Sequence, residues 1–188
     1  MEPRDAMELL GREAFPWWVA GGWALDVFLA SPIRPRKDLD IALLRRDAGR
    51  LRSHLAGWDI RVAVPGGGLS EWAGAALHPP LHELWARPSP GVPWVCEFLL
   101  NDATNSRWLY RRDPRITYPL DRLARSGVDD IRFLPPEIVL LYKSSRPRPE
   151  DQVDFEAVHS HLSSTAARWL RRAVRQTDPS HPWLAVLH

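Results

Sequence analysis

The 188 residues can form one large domain or a catalytic core with a small helical annex. An apolar content of 45% supports a full core and excludes a disordered or collagen-like chain, while 25 basic against 23 acidic residues mean that any basic surface must be local. One cysteine, Cys96, excludes an internal disulfide and a thiolate zinc cluster built by a single chain.

The opening segment MEPRDAMELLGREAF carries acids and lacks the apolar stretch of a secretory signal. No run approaches the roughly 18 apolar residues that span a bilayer, so a soluble cytoplasmic protein without membrane partners is expected. Residues 5–14 suit a short helix. Trp17 to Ala20 reads as a strand, broken by Gly21-Gly22, and Trp23 to Leu29 as a helix ended by Ser31-Pro32. Asp38 to Leu44 is the strongest strand, and a helix near 47–56 leads to a strand at Ile60 to Val64. The glycines of Pro65 to Gly68 lack the Lys-Ser/Thr of a Walker loop and read as a plain loop. Strands follow at Leu81 to Ala86, Trp94 to Leu100 and Trp108 to Arg111, separated by turn chemistry at 87–91 and 101–105. From Pro135 onward the pattern is helical. Pro136 opens a helix through Lys143, Pro149 opens another, Ser163 caps a run through Val174, and Pro179 to His188 adds a short terminal helix. The expected architecture is α+β: a mixed sheet with flanking helices over 1–132 and a helical region over 133–188.

Chemistry gathers around one strand. In 38–44, Asp38, Asp40, Ala42 and Leu44 share a face and Leu39, Ile41 and Leu43 the other, which leaves two carboxylates about 6 to 7 Å apart. Alone they could be edge charges. The preceding Gly21-Gly22 turn changes that, because backbone N–H groups without side chains can approach a phosphate at a helix N-terminus. Asp26, one turn into that helix, could bind Arg34 or fix the following loop. A third carboxylate should come from a neighbouring strand. Glu97, in the apolar run WVCEFLL, is the candidate, since a carboxylate there must be paired, hydrogen-bonded or metal-bound. A salt bridge to Arg111 or Arg112 is the alternative.

The segment AGGWALDVFLASPIRPRKDLDIALLRRD resembles the opening motif of the aminoglycoside and lincosamide nucleotidyltransferases, within the polymerase-beta-like superfamily, and most of all their aminoglycoside 2''-adenylyltransferase-like group. The resemblance continues through His82-Glu83-Leu84-Trp85-Ala86-Arg87, Glu97-Phe98-Leu99-Leu100-Asn101, Trp108-Leu109-Tyr110-Arg111-Arg112-Asp113, Leu140-Leu141-Tyr142-Lys143 and Glu150-Asp151-Gln152-Val153-Asp154-Phe155. It implies transfer of a nucleoside monophosphate, AMP from ATP, to a hydroxyl of an aminoglycoside-like or lincosamide-like small molecule, with release of pyrophosphate. Asp38 and Asp40 would hold Mg²⁺, and Glu97 would join a second metal or accept the hydroxyl proton. Gly21 and Gly22 would contact the triphosphate through the backbone, Lys143 would reach the phosphates, and Arg111 or Arg112 would neutralise developing charge. Two departures stand out. Relatives commonly carry histidine where this chain has Arg36, which could contact phosphate or close the loop but supplies no neutral imidazole. Glu97 stands where some relatives use aspartate. The same superfamily leaves open an RNA- or protein-modifying toxin, or an inactive nucleotide-binding regulatory protein. A homodimer could complete a shallow substrate cleft.

For a cationic aminosugar, Glu71, Glu83, Asp102 and Asp151 are further carboxylates that a cleft could draw on. Trp85 or Trp108 could stack on a sugar or base, or simply pack in the core. The histidines form no zinc pattern.

Overall fold

The structure, a computed structural model, describes residues 1–11 and 15–187. Helix α1 (Pro3–Leu10) starts at a proline, whose fixed φ suits a first turn, and buries Pro3, Ala6 and Leu10 on one stripe. The rest of that expected helix, 12–14, lies outside the described residues. Strand β1 (Trp17–Val19) leads directly into α2 (Gly21–Leu29). This helix begins at the glycine pair rather than after it, because Gly21 takes a φ of 56° that turns the chain sharply. Strand β2 (Asp40–Leu44) is shorter than the sequence suggests, and Asp38 lies in the bend before it.

A 3-10 turn and α3 (Ala48–His54) connect to β3 (Asp59–Ala63), β4 (Leu69–Glu71), β5 (Glu83–Arg87) and β6 (Cys96–Ala103). β6 runs through Asn101 to Ala103, where turn-forming residues pointed to a loop. Asn101 is held in the strand because its Oδ1 accepts from Trp108 Nε1 at 2.8 Å while its amide donates to the Leu99 carbonyl at 2.9 Å. Then come β7 (Arg107–Leu109), β8 (Thr117–Pro119), β9 (Arg125–Ser126) and β10 (Arg132–Phe133). The chain closes with α4 (Pro136–Ser144), α5 (Pro149–Val158) and α6 (Ser164–Thr177), followed by a 3-10 turn. Ser163 caps α6 as expected, its Oγ accepting from Ala166 N at 3.2 Å.

The sheet order is β4-β3-β5-β6-β2-β1-β10-β9, with β7 and β8 branching from the far end of β6. β2 pairs parallel with β6 and β1 parallel with β10; the other pairs are antiparallel. Alternation sorts the faces: Ile60, Val62, Leu84, Ala86, Cys96 and Phe98 are buried, while Arg61, Glu83, Trp85 and Glu97 occupy the opposite, more open face. Helix α2 packs on α4 and α5, and α4 on α6. β10 straddles the expected 132/133 junction, with Phe133 in register with Val19 of β1. Among the described residues no helix is long and apolar enough to cross a membrane.

Candidate active site

Two adjacent parallel strands bring the central acids together. Asp40, the first residue of β2, is in register with Glu97 of β6, so both side chains rise from the same face at neighbouring positions. The glycine turn is fixed to the same spot, since Ala20 N–H donates to the Asp40 carbonyl at 2.8 Å. Gly21 is required there: a Cβ at this position would come 1.8 Å from Asp40 Oδ2.

These residues line a cleft of about 480 Å³ with an acidic half and a basic half. Asp40, Glu97 and Glu83 form the acidic side. Arg111, Arg112, Lys143, Arg146 and Arg148 supply positive charge, and Tyr142 and Leu99 add apolar wall. Burial, with repulsion from Asp38 and Glu83, pushes Asp40 up to about 6 despite the opposing pull of Lys143. Burial and the neighbouring Asp40, Glu83 and Asp38 push Glu97 up to about 8. The acidic half therefore favours an added positive charge.

The expected site residues divide into three groups. Asp40, Glu97, Gly21, Lys143, Arg111 and Arg112 all line the cleft. Asp38 is exposed in the bend ahead of β2, close enough to raise both acids but outside the cleft lining. Arg36 is turned away from the cleft: Nε and Nη2 grip Asp26 at 2.8 and 2.6 Å and Nη1 meets Asp154 at 2.9 Å. Gly22 lies over that guanidinium, and a Cβ there would come 2.3 Å from Nη1. Asp26 fixes the loop, accepting from Ile33 N at 3.0 Å, but its cation is Arg36 rather than Arg34.

Neither arginine of the pair makes the alternative salt bridge to Glu97; each has another partner. Arg111 meets Glu83 at 3.3 Å, and Arg112 donates to the Tyr142 carbonyl at 2.9 Å and to Tyr110 Oη at 3.2 Å. Asp113 is taken by Arg115. Of the additional acids, Glu83 and Asp151 line the cleft, whereas Asp102 is paired with Arg45 and Glu71 lies on the exposed β4 edge. Trp108 is wholly buried; Trp85 packs edge-to-face on Trp94 at 6.4 Å. Arg146 and Arg148 escaped the sequence reading, since charged residues in a Pro- and Ser-rich connection carry no periodic signal.

The donor set suits Mg²⁺, which prefers oxygen ligands and is commonly held by one or two carboxylates together with substrate phosphates. Among the described residues no group of three acid, histidine or cysteine side chains is already gathered for a metal. Asp40 and Glu97 beside the Gly21 cradle are the pair that fits such a partly substrate-built site.

A family model described as aminoglycoside-2''-adenylyltransferase matches residues 4–63. No curated protein matches the chain by sequence. The crystal structure of ANT(2'')-Ia in complex with adenylyl-2''-tobramycin is similar in fold, with a TM-score of 0.58 and 16% identity over 93% of this chain and 94% of that one. The solution structure of the antibiotic-resistance factor ANT(2'')-Ia gives a TM-score of 0.61 at 15% identity, covering 98% and 95% of the two chains. The lincomycin-bound lincosamide antibiotic adenylyltransferase LnuA gives a TM-score of 0.53 at 17% identity, covering 85% and 93%. The family model thus matches the N-terminal third of the chain, and the fold along most of its length is similar to that of these antibiotic adenylyltransferase structures.

Proposed function

We propose that the protein transfers AMP from ATP to a hydroxyl of an aminoglycoside-like or lincosamide-like small molecule, with release of pyrophosphate. The observation that carries this reading is the register of Asp40 with Glu97 beside the Gly21 turn, facing a wall of Lys143, Arg111, Arg112, Arg146 and Arg148. A triphosphate needs both halves: backbone and cationic groups for its oxygens, and carboxylates for its divalent counterion. Asp40, with Asp38 in the bend beside it, would hold Mg²⁺, which when bound supplies charge neutralisation and alignment of the phosphate oxygens, and Glu97 would join a second metal or accept the hydroxyl proton.

The chain's own residues then have separate tasks. Gly21 and Gly22 let the backbone approach the phosphates, and Lys143 with Arg111 or Arg112 offsets their negative charge. The acceptor oxygen forms a bond to the α-phosphorus, the bond from that phosphorus to pyrophosphate breaks, and the hydroxyl proton passes to Glu97. The acidic half of the cleft, including Glu83, favours an acceptor bearing ammonium groups.

Incubation with labelled ATP, Mg²⁺ and a panel of aminoglycosides, lincosamides and total tRNA tests this reading. A labelled small molecule and free pyrophosphate, both lost in Asp40→Asn, are expected. Label on tRNA or on protein, with none on the antibiotics, would replace the proposed acceptor. Full turnover in a folded Asp40→Asn variant would remove the site assignment.

A further inference from the structure

Asp154, on α5, is fully buried yet receives three cations. Arg34 donates to it through Nε and Nη2 at 3.0 and 2.8 Å, Arg36 Nη1 reaches its two oxygens at 2.9 and 3.2 Å, and Lys143 Nζ stands 2.9 Å from Oδ2. Burial alone would raise the pKa of this carboxyl, but the hydrogen bonds and charges of Arg34, Lys143 and Arg36 hold it below the ordinary carboxylate range. Charges removed from water are costly unless matched in this way. Asp26 and Asp151 complete the balance, the first through Arg36 and the second through Lys143 at 2.6 Å.

The network joins two walls of the cleft. Through Arg36, Asp154 fixes the guanidinium on which Gly22 rests, only 4% exposed behind the phosphate turn. Through Lys143, it fixes a cation that lines the cleft itself. Arg34 differs from these partners: it binds the same carboxylate but is absent from the cleft lining and does not underlie the turn.

We propose that Asp154 is a positioning residue for the nucleotide polyphosphate, setting the height of the Gly21-Gly22 turn and the direction of Lys143 through one carboxylate. The inference rests on the nucleotidyltransfer reading. It gives Asp154 a part in nucleotide binding although it does not itself line the cleft. A purely stabilising role would instead make all three cation partners equivalent.

Equilibrium binding of ATP with Mg²⁺ to the full chain, together with separate KM values for nucleotide and acceptor, distinguishes the two. Asp154→Asn should raise the nucleotide Kd and KM roughly ten- to a hundredfold, as expected for misplaced binding groups, and leave the acceptor KM unchanged. Arg34→Ala should lower the melting temperature but keep the nucleotide Kd near that of the unaltered protein. An unchanged Kd in folded Asp154→Asn, or an equal rise in Arg34→Ala, overturns the proposal. If Asp154→Asn does not fold, Asp154→Glu keeps the charge while moving the oxygens; a raised Kd supports positioning and an unchanged one overturns it. Failure of the unaltered protein to bind ATP removes both this inference and the nucleotidyltransfer reading, whereas normal binding by it and by the Asp154 variants removes this inference alone.

Discussion

Gly21 and Asp40 occupy adjoining space so closely that a methyl group on the first would displace the carboxylate of the second, its Cβ lying 1.8 Å from Oδ2. The φ of 56° at Gly21 adds a second reason for glycine, since an L side chain in that region costs about 1–2 kcal/mol. Gly21→Ala is therefore expected to lower stability by at least that amount, since displacing Asp40 adds to the backbone strain. Its loss of activity should be far larger, on the order of a hundredfold, because the displaced carboxylate belongs to the proposed reaction centre. Thermal unfolding and ATP-dependent transfer measured on the same preparation check both parts. A folded variant with ordinary turnover would separate the turn from the chemistry.

Asp151 gives the protein an acid-sensitive contact. Its burial acts to raise the pKa, but hydrogen bonds from Arg148 and Lys143 more than offset this and hold the carboxyl well below its ordinary range. A depressed folded pKa means that stabilisation is fully present above the unfolded value of about 3.9 and is lost as pH falls through the folded value. The contribution of Asp151 to the urea midpoint should consequently be constant across neutral pH and be lost below about pH 4. Asp151→Asn should reduce the midpoint at pH 7 and flatten that acidic fall. Parallel acid limbs in the two proteins would show that the contact contributes nothing to the pH response.

Alternation along β6 separates Glu97 from Cys96. Glu97 faces the cleft, whereas Cys96 points to the other side, is 2% exposed, and has its thiol pushed up to about 12 chiefly by burial. With almost no thiolate and almost no access, it should not react with a thiol reagent in the folded protein and should label promptly in denaturant. Cys96→Ser should cost about 1–3 kcal/mol for a buried hydroxyl while leaving KM values unchanged. Rapid labelling under native conditions would show that β6 opens far more readily than its buried face suggests.

Much of this arrangement was legible from residues. The Asp-x-Asp leading into β2, the glycine pair opening α2 and the carboxylate inside WVCEFLL identify neighbouring parts of one cleft, because strand and helix periodicities operate over a few residues. The partners of Arg34 and Arg36 were not legible. Both bind Asp154, more than a hundred residues away, and only the packing of α5 against α2 creates that meeting. Strands β9 and β10 were missed for a related reason: two-residue strands have no period to read, and β10 is defined by its pairing with Val19. Asp38 illustrates the limit within a correctly identified motif. Its spacing from Asp40 suggests a shared strand face, yet the regular pairing begins only at Asp40 opposite Glu97.

The C-terminal segment secures α5 through an aromatic pair. Trp183 stacks on Phe155 with ring centroids 4.0 Å apart and planes inclined by only 5°, and its Nε1 donates to Gln152 Oε1 at 2.7 Å. Trp183 is also 2% exposed, so truncation removes buried area, stacking and a hydrogen bond together. Trp183→Ala should cost about 3–5 kcal/mol, whereas Trp183→Phe, which keeps an aromatic face but removes the donor, should cost markedly less. Urea unfolding of the two variants checks this ordering. Because Phe155 is adjacent to Asp154, the alanine variant should also show weaker ATP binding below its melting temperature, and the phenylalanine variant should retain most of it. Equal loss of binding in both would point to the Gln152 hydrogen bond, rather than the stacked rings, as the contact that holds α5 in place.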